Sequence, residues 1–89
     1  MSDSTERCWL VERTVDQRNL VTLVYATPDG NQFQRRERSA TALRTGSPVT
    51  AAVEISADEL EDVTDEDIRE QYASEARRVA ETYDPDEEI

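Results

Sequence analysis

The chain has 89 residues, 36% of them hydrophobic, and 21 acidic residues against 10 basic ones give it a net charge of −11 and a pI near 4.3. A chain of this length, residues 1–89, holds one domain with one compact core and no room for a second. The complete lack of histidine excludes Ser–His and Cys–His catalysis and histidine metal ligation, and the acidic balance argues against bulk attraction to DNA or anionic lipid.

The first six residues are polar and acidic and are expected to be flexible. Residues 8–15, Cys8-Trp9-Leu10-Val11-Glu12-Arg13-Thr14-Val15, are rich in aromatic and β-branched types and read as a strand. Asp16-Gln17-Arg18-Asn19 is a polar turn, and residues 20–27 form a second, stronger strand. Pro28-Asp29-Gly30-Asn31 is the clearest turn signal, since proline presets φ at the first central position and glycine supplies a positive φ. Residues 32–39 then complete an antiparallel meander. Thr45-Gly46-Ser47-Pro48 reads as a loop. Val49, Ala51, Val53 and Ile55 alternate with Thr50, Ala52 and Glu54 as a fourth, half-buried strand. Ser56-Ala57-Asp58-Glu59 has a capping-box pattern that predicts one short helical turn ending near Val63.

The last element is a helix from an N-cap at Thr64 to about Tyr83. Its expected apolar stripe is Ile68, Tyr72, Ala76, Val79, Ala80 and Tyr83, with Pro85 as the stop. Residues 84–89 read as a solvated acidic tail. The fold class is therefore α+β: an antiparallel sheet of three to four strands, meander first, with one long C-terminal helix on one face. The second strand is apolar on both faces, Val21, Leu23 and Tyr25 on one and Leu20, Thr22 and Val24 on the other. One helix covers one face, so the other must meet residues 40–63 or a second copy of the chain. A homodimer is expected, with Leu20, Thr22 and Val24 as its candidate face.

All ten basic residues are arginines; there is no lysine. Excess carboxylate with no lysine is the pattern of proteins that work in concentrated salt, where the Debye length falls to about 3 Å and self-repulsion is screened. Cys8, the lone cysteine, excludes an internal disulfide and a cysteine-based zinc site, and beside Trp9 it reads as a small buried hydrophobe. No apolar run approaches the ~20 residues that span a bilayer, and the N-terminus is unlike a signal peptide, so a cytoplasmic location off the membrane is expected.

Crowded carboxylates such as Asp58-Glu59-Glu61-Asp62 and Asp65-Glu66-Asp67 lack the spacing of a calcium loop and read as a solvated face; no cofactor or metal is implied. Charge is unevenly divided. Residues 1–53 carry seven arginines and six acids, whereas residues 54–89 carry three arginines and fifteen acids. In the third strand and beyond, Arg35, Arg36, Arg38 and Arg44 face only Glu37, a candidate contact for a phosphate, nucleic acid or acidic partner, with Phe33 and Tyr25 nearby. Pairing with the acidic helix, within the chain or across a dimer, is the favoured alternative.

The runs Cys8-Trp9-Leu10-Val11-Glu12-Arg13-Thr14 and Leu23-Val24-Tyr25-Ala26-Thr27-Pro28-Asp29-Gly30, with Glu70-Gln71-Tyr72-Ala73 and the Asp84-Pro85-Asp86 tail, resemble a family of small acidic proteins from halophilic archaea. The resemblance covers nearly the whole chain and implies no assigned activity. The two-sided apolar second strand and the lack of catalytic side chains point to a non-enzymatic, homodimeric interaction or regulatory module. A small RNA- or phosphate-binding protein is the alternative, and a carboxylate- or metal-dependent enzyme is a third.

Overall fold

The computed structural model describes residues 4–41, 46 and 48–89. Five strands form one antiparallel sheet: β1 (Thr5–Val15), β2 (Leu20–Ala26), β3 (Gln32–Ser39), β4 (Ala52–Ser56) and β5 (Glu61–Asp62), in the order β4-β1-β2-β3-β5. The helix α1 (Glu66–Thr82) packs across β1 and β2. The α+β class and the opening meander are as expected, but the sheet has five strands, not three or four.

Both hairpins close by the same local chemistry. In the first, the Asp16 amide donates to the Leu20 carbonyl at 3.0 Å, and Asn19 takes a positive φ of 62°, which asparagine tolerates. In the second, the Gly30 amide donates to the Thr27 carbonyl at 2.8 Å and Gly30 has φ 74°. A bulge at Val11 shifts the β1–β2 register between Leu10 and Glu12. Trp9 and Val11 therefore lie on the helix side, while Cys8, Leu10 and Arg13 lie on the other.

The expected helical turn before Val63 is split. A short 3₁₀ turn spans Ala57–Glu59, and β5 then pairs with Gln32 and Phe33 of β3. Two exposed acidic residues carry no alternation, so this strand is set by its partner: the Gln32 side-chain amide donates to Asp62 at 3.2 Å and the Val63 amide to the Asn31 carbonyl at 2.8 Å. The alternation expected at residues 49–55 is also broken. Ala51 and Ala52 are both buried against Trp9, Ala76 and Val79 on the helix side.

Residues 84–89 are docked, not free. The consecutive amides of Ala51 and Ala52 donate to the carbonyls of Glu87 and Pro85, each at 2.9 Å, and the Ile89 amide donates to Val49 at 3.0 Å. Strand β1 likewise starts at Thr5, held by Ser56, where a flexible end was expected. The helix cap is Asp65 instead of Thr64; its carboxylate accepts from the amides of Asp67 (2.8 Å) and Ile68 (3.2 Å). Ala76 and Val79 are buried, Tyr72 and Tyr83 half-buried, but Ala80 is exposed and Ile68 is 40% exposed.

Both faces of β2 pack against other parts of the chain. Val24 lies on the α1 side and is fully buried, while Leu20 and Thr22 on the same side are partly exposed. On the opposite side Val21, Leu23 and Tyr25 are buried with Cys8, Leu10 and Ile55, and Val49, Val53, Leu60 and Ile89 pack against them. The unmatched apolar face that motivated a homodimer is thus covered by the connection into β4 and by the C-terminal segment.

Candidate functional site: an arginine-walled cleft over Tyr25

Strand register sorts the arginines of β3. Leu23 is paired with Arg36 and Val21 with Arg38, which places both on the face opposite α1; Val24 is paired with Arg35, which places Arg35 on the helix face. The third-strand cluster is therefore two sites. Arg44 lies outside the described residues. Among the described residues, ion pairs join Arg7 to Glu54, Arg18 to Asp16 and Arg78 to Glu75, and none involves Arg35, Arg36 or Arg38. Within the chain, the favoured pairing of Arg35, Arg36 and Arg38 with the acidic helix is not made among the described residues.

Arg36 and Arg38 wall a cleft of about 310 Å³. Its other lining comes from Leu23 and Tyr25 on β2 and from Pro48, Val49, Thr50 and Val53 on the connection into β4. Among the described residues two guanidinium groups line it and no carboxylate does, in a chain of net charge −11. The Arg36 guanidinium stacks over the Tyr25 ring, 5.4 Å from its centroid, and its Nε donates to Gln34 Oε1 at 2.6 Å. This fixes the plane of the guanidinium, and its terminal nitrogens have no hydrogen-bond partner among the described residues. Burial pushes the Tyr25 hydroxyl above its ordinary pKa, while Arg36, Arg38 and Arg13 pull it back. Arg13, opposite Leu23 on the same face, donates to the Ile89 carbonyl at 2.8 Å. The sequence cue was the excess of arginine; Arg13 and the roof at residues 48–50 come from distant segments that no local pattern connects.

On the helix side, Arg35 borders a second cleft of about 260 Å³ with Phe33, Asp62, Val63, Asp65, Ile68 and Tyr72. The Phe33 and Tyr72 rings meet at 6.1 Å, tilted by 55°. Tyr25 and Phe33 thus lie on opposite faces, and Tyr25 is 3% exposed, so the sheet does not offer the paired aromatic platform expected for stacking RNA bases. Among the described residues no three acidic or cysteine side chains converge as metal ligands would. Cys8 is fully buried, its thiol pushed up to about 11 by burial and by Glu6 and Glu54, which makes it a poor nucleophile.

Fold and cleft together describe a small α+β protein with a positively lined pocket on the face of its sheet away from the helix. The chain belongs to a family described as "Family of unknown function (DUF7967)", whose model matches residues 1–89. No curated protein and no solved structure matches it. No helix among the described residues is long and apolar enough to cross a membrane.

Proposed function

We propose that the protein is a non-enzymatic binding module that holds an anionic group in the cleft over Tyr25, between Arg36 and Arg38. The carrying observation is the lining itself: among the described residues, two guanidiniums without an ion-pair partner stand above an apolar floor with no carboxylate in the wall. Arginine offers planar, paired donors to phosphate or carboxylate, and stacking on Tyr25 pre-orients one of them. The cleft volume matches the lower end of small-ligand pockets. Lysine-free, acid-rich composition supports the further reading of a salt-adapted cytoplasmic protein of halophilic archaeal type.

Amide chemical shifts during titration with succinate and with inorganic phosphate test the site. Saturable shifts are expected at Tyr25, Arg36 and Thr50, and Arg36→Glu with Arg38→Glu should weaken binding at least roughly tenfold, the loss of charge-assisted hydrogen bonds. Equal binding by a double variant that keeps its circular dichroism would end the proposal.

A further inference from the structure

Among the described residues, no strand pairs with the outer edge of β3 beyond β5. Strand β5 pairs only with Gln32 and Phe33. The ladder to β2 is anchored at its two ends by the Thr27 amide on the Gln32 carbonyl (3.0 Å) and the Ala40 amide on the Asn19 carbonyl (2.9 Å). Alternation between those ends turns the backbone groups of Gln34, Arg36 and Arg38 toward β2 and those of Arg35 and Glu37 outward. Arg35 and Glu37 are exposed, and among the described residues their outward amides and carbonyls have no strand to pair with.

We infer that this edge takes an added strand from a partner segment that alternates acidic and apolar residues. Three features select that partner. An added strand sets its alternate side chains beside Arg36 and Arg38 on one face, where carboxylates complete the arginines. On the other face its side chains lie beside Arg35 at the second cleft, where Phe33, Tyr72 and the 40%-exposed Ile68 offer apolar surface. A second copy of β3 is disfavoured, because antiparallel pairing centred on Arg36 sets Arg36 against its own equivalent and pairing centred on Glu37 sets Arg36 against Arg38, so neither brings a carboxylate to these two arginines. The inference rests on Arg36 and Arg38 being an anion site, and extends it by naming what carries the anion.

A short peptide alternating glutamate and valine is the probe. Its binding should slow hydrogen exchange at the Arg35 and Glu37 amides in the wild-type chain. Glu37→Pro removes an outward amide without touching the β2 ladder, so it should weaken the peptide by roughly fivefold, one lost backbone hydrogen bond, and leave succinate binding unchanged. A peptide alternating lysine and valine should not bind. Peptide binding that leaves both amides unprotected, equal binding by Glu37→Pro, equal binding of the lysine peptide, or failure to bind the glutamate peptide while succinate binds would each overturn the added strand alone. Loss of succinate binding from the wild type would instead remove the underlying anion site. Protection of the same amides that grows with protein concentration and without peptide would assign the edge to a second copy and overturn the inference.

Discussion

Asp29 and Asp16 hold the two hairpins through their carboxylates. Asp29 Oδ1 accepts the Thr27 hydroxyl at 2.6 Å and the Asn31 amide at 3.0 Å, and these bonds hold its pKa below the ordinary 3.8. Asp16 is depressed likewise, chiefly by the Leu20 amide and then by Arg18. A depressed carboxyl pKa means that the folded chain binds fewer protons than the unfolded one. The stabilisation is thus full above the ordinary value and is lost as pH falls through the lower folded value. The urea midpoint should fall as pH drops below about 4, and Asp29→Asn should fall less steeply there than the wild type. Parallel curves for the two proteins would contradict this role. At this scale the sequence was readable where chemistry is local. Pro28-Asp29-Gly30 announced its turn, whereas the partners of Arg36 did not, because Tyr25 and Gln34 reach it only through strand register.

The second hairpin and the helix meet closely at Gly30. A Cβ on Gly30 would collide with the Arg69 carbonyl oxygen and the Ala73 amide nitrogen of α1, and Gly30 also has φ 74°. Gly30→Ala should therefore cost about 2–4 kcal/mol, combining left-handed strain with overpacking, and it is measured by urea unfolding. A loss below about 0.5 kcal/mol would show that the turn and helix separate freely. The helix was legible because Tyr72, Ala76, Val79 and Tyr83 repeat at three- and four-residue spacing. Ala80 fits that spacing equally well yet is exposed, since small residues mark a stripe weakly. Strand β5 was not legible at all, and the face of β2 that meets α1 was undecidable because both faces are apolar. The side on which each β3 arginine falls follows from a period of two, so the separation of Arg35 from Arg36 and Arg38 was in principle available.

Over the whole molecule, charge is segregated. Fifteen of the acids lie in residues 54–89, while the face opposite α1 gathers Arg13, Arg36 and Arg38. Within the acidic part, α1 supplies Glu66, Asp67, Glu70, Glu75 and Glu81, and among the described residues Glu75 with Arg78 is its one ion pair. Repulsion among the remaining carboxylates opposes the packing of helix on sheet, and salt screens it within about 3 Å at 1 M. Thermal midpoints followed by circular dichroism should rise steadily as KCl increases from roughly 0.05 M to molar levels. A midpoint that does not change with salt would contradict the account.

The docked C-terminal segment bears on the order of events during synthesis. Arg13 waits for the carbonyl of a residue 76 positions later, and the amides of Ala51 and Ala52 wait for Pro85 and Glu87. Until residue 89 has cleared the ribosome, the meander can pair but the floor beneath Val49 stays unfilled, because Ile89 packs into both core clusters. Long-range closures of this kind slow folding and leave a nascent chain exposed while it waits. The acidic stretch that looked like an appendage thus brings Ile89 against both core clusters, and a chain still lacking it is the state in which aggregation has to be avoided.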